Sequence, residues 1–456
     1  MGFFDFLDFS PARVRFIIHT SSVEYPYFFP FRKAIEHHIS LEFTSSYATR
    51  KMSICRTSKV PRAVPMPLEV VLTIIEAAYY DDDLEANDTL LKACALVCKD
   101  WSAPAQKLLF SNVTLRTQTA YLAFRRAVDR NSERGRMLGD AVVRMRVVLD
   151  HNQPFHLSPH CFAHAVTLCP NLYELKLALY GCADPDKDIV GVPDISRMRR
   201  PAPSFDKPTL ALLKSGPRIT SLQFSNWSEN CQSITQFLDV WPTLKSLVIR
   251  GTPPKLPSAS SEPFPCALEE LRMNFQTPPS IDFMKWLLRN SVDTLRILEL
   301  EREPAPDLLD YLVSAHGAVL HSLALPACGS HEQALAVQKC QRLRELRIEN
   351  PWASPMVYRK LPEVLQHIAL GLDRNTALQP VLETVKSRES LRVVTVHLWN
   401  GGEHHPQLPA LKIACAYRGL DLRMTTDIQI FRALIVRIFD VFGILLVILT
   451  ILFIIF

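Results

Sequence analysis

Five residues in one short span, His156, His160, Cys161, His164 and Cys169, are the best candidate metal ligands in the chain. His160 and His164 stand four apart, which puts two side chains on one face of a helix. Imidazole and thiolate are the donors that zinc takes. A plainer arrangement accounts for the same residues: a helix, then Cys169-Pro170-Asn171 leading into a strand, with cysteine as a small buried side chain. No metal is therefore expected. Glu403-His404-His405 reads as a surface turn, and Cys94 and Cys98, one helical turn apart, read as core filling. No phosphate-binding glycine loop, nucleophile elbow, zinc-protease helix or dinucleotide fingerprint occurs. The reading is a protein without catalytic residues or cofactor.

Composition points the same way. Of the 456 residues 48% are apolar and 21% charged, which is globular. A net charge of +5 is too small at this length for a nucleic-acid footprint. The eleven cysteines are scattered without paired spacing, so free thiols in a reducing compartment, cytoplasm or nucleus, are expected. Asp5 and Asp8 sit where a secretory signal needs basic residues.

Residues 61–115 carry the first organised stretch. Pro67 opens a helical pattern of Leu68, Val71, Leu72 and Ile75, where the missing proline N–H costs nothing. Asp81-Asp82-Asp83 ends it in a loop. Asn87 or Asp88 can cap a second helix with Leu90, Leu91, Cys94, Leu96 and Val97; Trp101, Leu108, Leu109 and Phe110 mark a third. Three short helices bury too little surface to be secure alone. Met66-Pro67-Leu68-Glu69-Val70 resembles the Leu-Pro-x-Glu-Ile opening of an F-box, and Leu96-Val97-Cys98-Lys99-Asp100-Trp101 resembles its Leu-Val-Cys-Lys-x-Trp core. Met66 in place of leucine and a longer acidic loop are the departures. The resemblance implies a surface for a Skp-type linker and its cullin complex, with Pro67, Leu68, Val71, Ile75, Leu96, Val97 and Trp101 divided between core and contact.

Beyond residue 116 the signal is repetition. An apolar-x-x-apolar-x-apolar template begins at Leu172, Ile219, Leu244, Leu268, Leu295, Leu320, Leu343, Leu365 and Leu391, with an earlier copy at Val142. From Ile219 its start advances by 25, 24, 27, 25, 23, 22 and 26 residues. The step from Leu172 spans two periods and includes a Pro-, Asp- and Arg-rich loop, 182–206. This period and template resemble leucine-rich repeats. The resemblance implies an irregular α/β solenoid over 116–425, parallel strands inside and helices outside, closed by a terminal cap over 408–422. Strand alternation turns Lys176, Gln223, Arg250, Arg272, Asn274, Glu299, Glu301, Glu345, Arg347 and Glu349 to the inner face. Their mixed charge suits a protein target of unknown identity better than a polyanion.

Two ends stand apart. Residues 1–60 read as a poorly ordered, Phe-rich extension. In the tail, 428–456, residues 441–456 carry no charge; as a helix they reach about 24 Å, short of the ~30 Å of a bilayer core. They read as a short anchor in the endoplasmic reticulum, with the chain facing the cytosol, or as a helix buried against the protein. The sequence thus implies a substrate-recognition adaptor of a Skp–cullin–F-box ubiquitin ligase, or else a repeat scaffold that binds a partner without a ligase.

Overall fold

Twelve strands pair in chain order, each parallel to the next, in one sheet. They are β1 Asn112–Leu115, β2 Arg144–Asp150, β3 Glu174–Gly181, β4 Ser221–Ser228, β5 Ser246–Gly251 and β6 Glu270–Phe275. The series continues with β7 Ile297–Leu300, β8 Ser322–Leu325, β9 Glu345–Ile348, β10 His367–Leu372, β11 Val393–Leu398 and β12 Asp421–Thr425. This computed structural model describes residues 71–72, 75, 87–181, 203–228, 230, 232–254 and 264–433. The chain divides into two compact units, Met1–Gln106 and Lys107–Phe456. The extension 1–60, most of the loop 182–206 and the tail 441–456 lie outside the described residues. Among the described residues, no helix is long and apolar enough to cross a membrane.

The repeat template explains the sheet. In Leu295/Leu298/Leu300 or Leu343/Leu346/Ile348 every template residue is buried. Each such side chain is worth about 1.5–3 kcal/mol when withdrawn from water. The strand residues point toward the helices and form one continuous core with them, including Phe237, Phe283, Leu312 and Val337. The other strand positions must face away, and that opposite side is called here the open face.

Local signals set the helix ends. Ser158, Asp206 and Ser280 accept hydrogen bonds from the first-turn amides of Pro159–Thr167, Lys207–Lys214 and Ile281–Leu288. Ser330 and Gln333 make a reciprocal capping box at His331–Gln338. A recurring clamp joins neighbouring repeats. The hydroxyl just before the template donates to the carbonyl of the preceding repeat's first template residue: Thr243 to Ile219, Thr294 to Leu268, Ser390 to Leu365, at 2.7–2.9 Å.

Across the doubled step between Leu172 and Ile219, β3 pairs directly with β4 through eight residues, so no strand comes between them in the ladder. The loop is an insertion within the ladder. At its far side Asn226 is buried on β4. Its Oδ1 accepts from the Ser228 N–H and hydroxyl, and its Nδ2 donates to Asn230. The neighbouring Gly251 has φ +94°, and a Cβ there would stand 2.0 Å from the Asn226 carbonyl, so only glycine fits.

Burial also sets the titration of the core. Cys169, Cys328 and Cys340 are pushed up to about 12 by desolvation, so these thiols stay protonated. His164, His316, His321 and His397 are lowered from 6.5, in each case chiefly by burial. Unfolding frees these imidazoles to take protons that the folded state refuses. Stability is therefore complete above about pH 6.5 and falls as the pH drops toward 5. A melting temperature that is flat between those values would contradict the burial of these histidines.

Candidate functional site

The open face carries one row of paired positions across the sheet: Lys176, Gln223, Val248, Arg272, Glu299, Ala324, Arg347, Ala369 and Thr395. Seven of the ten residues expected on this face are joined in a single network, and Lys176, Gln223 and Glu345 lie outside it. Lys176 is exposed, 3.3 Å from Glu174, and Gln223 donates to the same carboxylate at 3.1 Å. Arg272 pairs with Glu270 and lies 3.5 Å from Glu299. Arg250 reaches over β6 to Glu301 at 2.6 Å, and Asn274 donates to the other Glu301 oxygen at 2.6 Å. Glu345 lies 3.5 Å from the His367 ring, whose Nε2 meets the Thr395 hydroxyl at 2.9 Å.

Arg347 is the centre of this network. It is 1% exposed, yet carries a full charge. Its guanidinium bonds Glu299 two strands away and stands 3.9 Å from Glu349. Two strand spacings are nearly 10 Å, a distance the side chain covers only because the intervening residue is the small Ala324. Burial of a guanidinium without carboxylates would cost several kcal/mol.

The cover comes from the segment that follows β12. After β12, Asp427 begins a short helical stretch, 428–433, with its carboxylate accepting from the Gln429 N–H at 2.7 Å. Phe431 is fully buried against Ala369, its ring 5.4 Å from that of His397. Arg432 forks onto both oxygens of Glu349, at 2.9 and 2.7 Å, and lies 3.5 Å from Glu301. Its backbone carbonyl accepts from Arg347 at 3.0 Å. The Glu349 hydrogen bond holds Arg432 charged even more firmly than usual. Glu299, Glu345, Arg347 and Glu349, expected to face a target, are buried.

None of Phe431, Arg432 and His397 was among the residues expected on the open face. One signal was present. In the middle repeats Arg250, Arg272 and Arg347 face four carboxylates, Glu270, Glu299, Glu301 and Glu349, which leaves one negative charge over. Arg432 supplies the missing cation.

In the first unit, Val71 and Ile75 are buried, Trp101 is half-buried, and Leu96 and Val97 are 87% and 39% exposed. Pro67 and Leu68 lie outside the described residues. Leu96 and Val97 follow the helix Asp88–Cys94, whose start Asn87 caps by accepting from the Leu90 N–H at 3.0 Å. The candidate zinc ligands have other roles. His164 Nδ1 meets the Tyr121 hydroxyl at 3.1 Å, Cys161 accepts from Gln118, and Cys169 is buried in the core. Among the described residues no group of three or more His, Cys, Asp or Glu is placed to hold a metal ion. His405, expected in a surface turn, is buried with Nε2 2.9 Å from the Thr376 carbonyl oxygen.

These features define a solenoid-like α/β repeat protein whose open face is an ion-paired surface closed by a C-terminal segment. A scan against protein-family models matched none, and a search of curated proteins returned no match.

Two arginines separate a buried role from an exposed one. Arg347→Ala takes from the buried Glu299 its hydrogen-bonded cation, leaving Arg272 at 3.5 Å, and should cost about 3–5 kcal/mol in denaturant unfolding. Arg250, with 44% of its side chain exposed, should cost no more than ~1 kcal/mol. Equal losses would contradict the burial of Arg347.

Proposed function

We propose that the chain is the substrate-recognition adaptor of a Skp–cullin–F-box type ubiquitin ligase. Residues 61–115 dock a Skp-type linker, and the leucine-rich-repeat-like array carries a protein target. Catalysis belongs to other subunits of the ligase; the adaptor acts by holding target and ligase together, which raises the effective concentration of the reacting groups.

The observation that carries this reading is the exposure of Leu96 and Val97 inside the segment that resembles the F-box core. A leucine left in water forgoes about 1.5–3 kcal/mol of burial. Two adjacent apolar side chains beside a helix end regain that energy against a partner's apolar groove. Val71 and Ile75 by contrast lie inside, as core positions of such a unit do. The reading places the protein in the cytoplasm or nucleus, where ligase and linker meet.

Because Leu96 and Val97 are exposed, changing them leaves the fold intact. Leu96→Asp with Val97→Asp should abolish capture of a purified Skp-type linker while the melting temperature stays within about 2 °C of the natural protein. Undiminished capture by this variant, or no capture by the natural chain, would sink the adaptor reading.

A further inference from the structure

We infer that the open face over β7–β11 is a reading site for a protein segment in which an aromatic residue is followed directly by arginine, and that residues 428–433 occupy this site in cis. The inference rests on the proposed function only in giving the repeats a protein target; it does not depend on the linker.

The site is built by the strands. Ala369 leaves a hollow between Arg347 and Thr395 in the open-face row. The ring of His397 stands beside that hollow, and Phe431 fills it. Next to the hollow, Glu349 offers two carboxylate oxygens to one fork. With Arg432 withdrawn, Glu301 keeps Arg250 and Asn274, while Glu349 keeps only the Arg347 Nε at 3.9 Å. The vacated face then has one uncompensated negative charge, set where a guanidinium binds both oxygens. Arginine satisfies that geometry and lysine does not, because only guanidinium offers parallel donors.

The occupant is held at few points. Phe431 and Ala369 form a cluster separate from the main core, with Ile428 packed on it. Gln429, Ile430 and Ala433 are exposed. Within this stretch the apolar packing described is that of Ile428 and Phe431, and an element with few buried contacts opens without unfolding the rest. A target segment with the same two side chains therefore competes for the face, and the tethered copy sets the affinity that the target must exceed.

The probe is a synthetic peptide of residues 426–433 of this chain, added to the full-length protein. The variant Phe431→Ala/Arg432→Ala should bind it at least ~10-fold more tightly than the natural chain, whose site is already filled. Adding Glu349→Gln to that variant should weaken binding on the order of 30-fold, and lysine for arginine in the peptide should weaken it as well. A folded variant that does not bind, or whose binding ignores Glu349→Gln, overturns the inference. Should the variant not fold, amide exchange of the natural chain decides. At about millimolar peptide the amides of 428–433 should exchange faster as the tethered copy is displaced; unchanged exchange overturns the inference. Neither arm contains the linker, so failure here leaves the adaptor reading standing, and loss of linker capture leaves this site standing.

Discussion

A guanidinium with almost no access to water needs acceptors on every side, and Arg347 imposes that demand on the middle of the sheet. Glu299 accepts from it on β7 and the Arg432 carbonyl accepts from it on the segment after β12, while Glu349, just past β9, adds its charge 3.9 Å from the Nε, which has no hydrogen-bond acceptor among the described residues. Ala324 must be small for the first contact to form across β8. The surplus carboxylate then draws in Arg432, and Arg432 brings Phe431 over Ala369. One buried charge thus accounts for small residues on two strands, for the excess of acid, and for where residues 428–433 lie.

The ladder itself was legible in the sequence because two periodicities coincide there. Alternation within Leu298 and Leu300 fixes which side a strand buries, and a period near 25 residues fixes where the next strand falls. The same alternation put Arg272, Glu299 and Arg347 on the open face. The burial of Glu299 and Arg347 was not legible, since the cover of the network lies far along the chain: Arg432 is 83 residues from Glu349 and 131 from Glu301. No local pattern encodes such a contact. Charge balance across repeats was the available clue, and it needs the strand register to be read.

The doubled step after Leu172 shows the opposite limit. Counting periods gave two, but a ladder admits a strand only where backbone groups pair, and β3 pairs with β4 directly. In the first unit, helix signals located the turns, whereas the exposure of Leu96 and Val97 depends on which groups the fold leaves without cover. The two partners proposed for the chain would be recognised differently, the linker by burial of exposed apolar groups and the target by ion pairing.

The central claim is that Arg432 and Glu349 are energetically one unit. A double-mutant cycle of Arg432→Ala and Glu349→Gln, read by denaturant unfolding of the full-length protein, measures that directly. The account predicts a coupling of about 1.5–3 kcal/mol, as expected for a forked, half-buried charge pair. Additive losses, with coupling below about 0.5 kcal/mol, would mean that the C-terminal segment does not close the open face through this pair.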